Sequence, residues 1–114
     1  MAKKTVFIGH PINGDIEGNV KKVLEICAQV HRMGIIPVVP YLVSLQYLDD
    51  GVAADRELGM EANHECFYRH YIDELWLFGD HISNGMKQEV LLAREMGIPV
   101  IPKTEGTRIG LENL

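Results

Sequence analysis

The stretch Ser83-Asn84-Gly85-Met86-Lys87-Gln88-Glu89 joins a helix start to an acid little more than a turn further on. Ser83 or Asn84 suits the N-cap. The backbone N–H groups of Gly85 and Met86 are then expected to meet an anion, with the positive end of the helix dipole behind them. Gly85 adds no side chain that would hold a ligand away. On a helical net Met86, Val90, Ala93 and Gly97 form one sheet-facing line, Gly85, Glu89, Leu92 and Met96 form the next, and Lys87 and Arg94 point outward. A carboxylate thus interrupts a line of apolar residues and glycine. Partial desolvation there would tune the pKa and nucleophilicity of Glu89. The competing reading is a boundary glutamate paired with a neighbouring Lys or Arg.

A second polar cluster is Gly9-His10-Pro11-Ile12-Asn13-Gly14-Asp15. Gly9, His10 and Asn13 suit close approach and hydrogen bonding to a sugar or base; the alternative is a plain strand-to-helix turn. The loop lacks both G-x-G-x-x-G and G-x-x-x-x-G-K-[ST], which argues against a nicotinamide cofactor and against an ATPase. His64 and His70 do not align on one helix face, and His10 and His81 lie in separate loops, so neither a metal nor a cofactor is expected. Ser83 has no G-x-S-x-G elbow around it, which removes acyl transfer. Cys27 reads as inert core, and Arg56, Glu57, Glu61 and Glu65 read as the solvated face of a helix.

The elements that must position these clusters follow from periodicity. Thr5-Val6-Phe7-Ile8 is a short apolar run ended by Gly9 and reads as a buried first strand. From about Glu17 to Met33, Val20, Val23, Leu24, Cys27 and Val30 share one helical face, and Gly34 stops the helix. Ile35 to Val39 is a second strand, a mixed loop spans Tyr41 to Gly51, and a helix runs from about Ala53 to Tyr71 with a break near Gly59. Asp73 to Gly79 carries the third strand, Gly85 to Met96 a third helix, and Ile98 to Ile101 the fourth strand. The last dozen residues, with Gly106 and Gly110, look loosely specified.

This order, βαβαβαβ, predicts an α/β fold: a single-domain, doubly wound parallel sheet of flavodoxin- or Rossmann-like type spanning residues 1–114, with strand order 2-1-3-4. Winding then reverses between strands 1 and 3. Ligands of open α/β sheets bind at the carboxyl ends of the strands beside such a reversal, which is where the two polar loops are expected to meet.

The chain's 114 residues are 46% hydrophobic and 24% charged, enough for a core without disulfides, and the two cysteines suggest a reducing, cytoplasmic setting. A formal net charge of −5 and no basic stripe argue against nucleic acid as a partner. No apolar run approaches the ~20 residues of a membrane span, and the Met1-Ala2-Lys3-Lys4 start leads into a strand rather than a signal-peptide core, so no membrane partner is expected.

The first strand ending in Gly-x-Pro-Ile-x-Gly, Asp73 before an apolar strand, Ser83-x-Gly85-x-x-x-Glu89 with Ala93, and Gly97-Ile98-Pro99-Val100 together resemble the nucleoside 2-deoxyribosyltransferase superfamily. The likeness extends to small deoxyribosyltransferase-like domain proteins of bacteria and phages. It covers nearly the whole chain and is most specific from Ser83 to Val100. The resemblance implies cleavage of the N-glycosidic bond of a nucleoside or nucleotide, with Glu89 attacking the anomeric carbon and a water or second base then taking the sugar. An oxocarbenium-like transition state gains from such a carboxylate, as in retaining glycosidases.

The residue at position 83 refines that implication. Transferases of free nucleosides carry an aspartate there, whereas nucleoside 5′-monophosphate hydrolases carry a serine, so Ser83 points to a 5′-phosphate held with Asn84, Gly85 and Met86. Two departures accompany the likeness. The transferases have a first-strand tyrosine where this chain has Phe7, and the family's second carboxylate has only Glu65, nearest by spacing, or Glu61 to match it. An enzyme acting on a small nucleoside or nucleotide is the leading expectation. A non-catalytic nucleotide-binding or sensor protein is the alternative, and an interaction module with a vestigial cleft is a third. The resemblance also implies a homo-oligomer, with Phe67, Tyr68, Tyr71 and the tail from Thr104 to Leu114 as candidate contact surface.

Overall fold

A computed structural model describes residues 2–114. Val6, Phe7 and Ile8 have no exposed surface, because strand β1 (Thr5–Gly9) runs through the middle of the sheet with helices over both faces. Helix α1 (Ile16–Arg32) follows, then β2 (Ile36–Val38), a short α2 (Pro40–Ser44), α3 (Ala53–Tyr68), β3 (Glu74–Leu77), α4 (Asn84–Glu95), β4 (Val100–Pro102) and α5 (Glu105–Glu112). All pairings are parallel and the strand order is β2-β1-β3-β4, as expected. The central register sets Phe7 beside Leu75 and Gly9 beside Leu77, so β1 and β3 end level with one another.

Local chemistry explains most boundaries. Asp15 caps α1 by accepting from the Gly18 amide at 3.0 Å, and Gly34 ends that segment with φ +81. Val23 and Val30 bury the stripe of α1, whereas Leu24, expected on that face, is half exposed at its margin. The outer strands β2 and β4 are shorter than their apolar runs, and Pro102 closes β4 at an edge, where a missing N–H is tolerated.

Three expectations are corrected. The loop after β2 opens with α2, whose Pro40 is favourable in a first turn because its lost N–H would have been unpaired anyway. Helix α3 passes unbroken through Gly59, where a Cβ would make only ordinary contact, 3.9 Å from Ser44 Cβ and Leu48 Cδ1; it ends at Tyr68 rather than Tyr71. The tail is an ordered helix capped by Thr104, and its glycines are contact points rather than slack. A Cβ on Gly106 would lie 2.1 Å from the Asp80 carbonyl oxygen, and one on Gly110 would lie 2.8 Å from Ile82 Cγ1. Helix α5 therefore buttresses the β3–α4 loop.

Candidate functional site

The two polar loops do converge. Gly79 adopts φ +92, and a Cβ there would lie 2.5 Å from Pro11 Cδ, so only glycine lets the loops after β1 and β3 press together. Above the ends of these strands is a cleft of about 680 Å³. The β1–α1 loop places His10 and Asn13 on its wall, and the start of α4 adds Ser83, Asn84, Gly85, Met86 and Glu89. Gly9 is buried beside Glu89 rather than on the wall; a Cβ there would come within 3.5 Å of Glu89 Oε1 and 2.9 Å of Leu77 Cδ2. Its bareness makes room for the carboxyl group.

Glu89 is 7% exposed, forms no salt bridge among the described residues, and leaves Oε1 without a hydrogen-bond partner. The boundary ion pair is thereby excluded. Burial pushes its pKa up to about 8, because a carboxylate loses hydration there and gains no compensating donor. Burial thus favours the protonated acid, which ionises as pH rises through that value.

Ser83 is the N-cap of α4, and its Oγ accepts from the Met86 amide at 3.3 Å. That corrects the expected cradle: the Met86 N–H is used internally, and Met86 contributes its buried side chain to the wall instead. Gly85 keeps open space where a Cβ would stand, with nothing within 4 Å. His10 donates from Nδ1 to the Pro11 carbonyl at 2.6 Å, so in the neutral ring Nε2 is the acceptor. Asn13 is exposed at the rim, and Asn19 Nδ2 steadies its loop by donating to the Ile12 carbonyl at 2.9 Å.

The opposite wall comes from α2, α3 and the loop between them. Tyr41, Asp50, Arg56, Met60 and Asn63 all line the cleft. Burial, and then the neighbouring Glu89 charge, raises the Tyr41 phenol well above its ordinary pKa, and its hydroxyl donates to the Ile8 carbonyl. Phe7 packs in the core against tilted rings, with centroids 5.1 Å from Phe67 and 6.0 Å from Tyr41. Arg56 is exposed, as the solvated-face reading expects, and from there it donates from Nε and Nη2 to the Asp50 carbonyl at 3.1 and 2.8 Å and joins the α2–α3 loop to the cleft wall. A helical-net signal was present, since Arg56, Met60, Asn63 and Phe67 follow at spacings of four, three and four. It was masked by the charge around them.

Glu61 and Glu65, proposed counterparts of a second carboxylate, face elsewhere. They line an open groove of about 570 Å³ whose wall residues all belong to α3, and Glu65 Oε1 accepts from Arg69 Nε at 2.7 Å. Besides Glu89, the acid on the cleft wall is Asp50. Phe67 is fully buried and cannot serve a contact surface, whereas Tyr68 and Tyr71 are exposed. Both cysteines are free, and among the described residues no cluster of three metal-ligating side chains occurs and no helix is long and apolar enough to cross a membrane.

Residues 4–103 match the model of a family described as a domain of unknown function (DUF7768). No curated protein matches the chain.

Proposed function

We propose that this chain, which belongs to the DUF7768 family, cleaves the N-glycosidic bond of a (deoxy)nucleoside 5′-monophosphate with Glu89 as nucleophile. The observation that carries the reading is a buried, unpaired glutamate on the wall of a cleft whose rim is the capped start of a helix. The family description assigns no activity, so the support is this geometry together with the likeness to deoxyribosyltransferases. A Glu89 carboxylate oxygen attacks the anomeric carbon; the C–N bond breaks, and the base leaves with its electron pair and takes a proton. Water then hydrolyses the glycosyl ester and regenerates the carboxylate. Ser83, Asn84 and the open space over Gly85 would receive the phosphate at the positive helix end, with His10 and Asn13 toward the sugar or base. No cofactor, metal or nucleic-acid partner enters this scheme.

Release of free base from a panel of nucleoside monophosphates tests it. Glu89→Ala is expected to bind these nucleotides and to lose turnover about a thousandfold or more, as removal of a covalent nucleophile does; retained turnover would refute the assignment. Since the attacking form is the ionised one, kcat/KM is expected to rise with pH toward about 8.

A second reading is nucleotide binding without turnover, as in a sensor. It is favoured by the outward placement of Glu61 and Glu65, which leaves no α3 carboxylate to assist the leaving base. Binding without base release would select it. For either reading we propose a homo-oligomer, with exposed Tyr68 and Tyr71 at the contact, which light scattering on a Tyr68→Ser, Tyr71→Ser variant checks.

A further inference from the structure

Among the described residues, two buried side-chain polar atoms have no hydrogen-bond partner, Glu89 Oε1 and Asn63 Oδ1. They belong to different helices, α4 and α3, yet both side chains are on the wall of the same cleft. Glu89 has a task in the proposed reaction. Asn63 has none, and its burial is unexplained by local structure: it lies inside α3, far from either cap, and is 9% exposed. A buried carbonyl without a donor is costly, and a leucine of similar shape would fill the same space without that cost. A polar group left unsatisfied on a cleft wall is matched by what enters the cleft.

We infer that Asn63 is a specificity-determining residue whose carboxamide pairs with a hydrogen-bond donor, N–H or O–H, of the ligand held over Glu89. The inference rests on the nucleotide reading above. A carboxamide presents an acceptor beside a donor, which complements either the edge of a nucleobase or the hydroxyls of a sugar. Its last torsion is broad and two-fold, so the buried oxygen turns toward a ligand without movement of α3. An amide also does this without placing a second negative charge beside Glu89 and an incoming phosphate. Sequence reasoning sought this partner among the acids of α3; the structure offers the neutral residue.

The test measures melting temperature and nucleotide affinity for Asn63→Leu, with Asn63→Ala as the variant that cannot overpack. Probes are the four common deoxynucleoside monophosphates and 2-deoxyribose 5-phosphate, which has no base. The free leucine variant is expected to melt at or above the wild-type temperature, since the orphaned carbonyl is gone, while nucleotide affinity falls about tenfold in both variants. A loss confined to whole nucleotides assigns the donor to the base; an equal loss with the sugar phosphate assigns it to a sugar hydroxyl. Wild-type affinity in the variants, or a melting temperature lowered in both with affinity intact, overturns the role of Asn63 alone. Absence of any nucleotide binding by the wild-type protein overturns the nucleotide reading and this inference with it.

Discussion

Glu74 and Glu89 stand at opposite ends of the sheet and are treated in opposite ways. Glu74, at the start of β3, receives Lys4 Nζ at 2.7 Å and Trp76 Nε1 at 2.8 Å, and the hydrogen bond from Lys4, then that from Trp76, holds its carboxyl below the usual range. Beside it Asp73 Oδ2 accepts from the Thr5 amide at 2.8 Å. Glu89, beyond the far end of the same strands, has burial without partners, and its pKa moves up instead. One end of the sheet pairs its polar groups and ties the strands; the other leaves two of them unpaired around a cleft. The contrast teaches where this fold accepts instability: the unpaired burial lies at the strands' carboxyl ends, beside the candidate site.

The sharpest way to break the contrast is Glu89→Gln followed by unfolding across pH. Because the folded-state pKa of Glu89 lies above its unfolded value, the folded protein binds the extra proton between about 4.5 and about 8. Stability is then full below that window and falls as pH rises through it, by up to about 1.4 kcal/mol per pH unit at the steepest. The glutamine variant is expected to lose that slope and to be the more stable protein at pH 8. An unchanged slope would mean that Glu89 is solvated or paired.

A smaller effect is expected from Gly106→Ala, which forces a Cβ against the Asp80 carbonyl and so disturbs the loop that leads into Ser83. A loss of about 1–3 kcal/mol in chemical denaturation, with weaker nucleotide binding, is expected. Wild-type affinity would show that α5 does not position the loop.

The smallest is Glu74→Gln, at the end where polar groups are paired. Lys4 is half exposed, so after solvent screening the ion pair is worth about 1 kcal/mol or less. This variant is expected to lose that much at neutral pH, with base release unchanged. Since the Glu74 carboxyl is held low, its contribution is present above the ordinary carboxylate range and disappears as acid protonates it, the reverse of Glu89. A change in turnover would remove the separation of the two ends.

Much of this was legible in the chain. Apolar runs and helical stripes, punctuated by Gly9, Gly34 and Gly97, sufficed for the parallel order 2-1-3-4, and the line through Gly85, Glu89 and Leu92 marked the odd carboxylate. Less legible were residues whose local signal was ambiguous. Gly106 and Gly110 read as slack because glycine means both looseness and close approach, and Glu61 and Glu65 drew attention over Asn63 because charge is conspicuous where an amide is not.

The sequence by itself determined the four strands and the three longer helices in order, a cap at Ser83 or Asn84 and the inward phase of Glu89, because periodicity and capping are set by neighbours within a few residues along the chain. Only the tertiary structure decided that Glu89 has no counter-ion and that Tyr41, Arg56 and Asn63 close the far wall. Those outcomes depend on how the long excursion between β2 and β3 folds back over the sheet. That placement is settled by packing between residues distant in sequence, through which no local pattern runs.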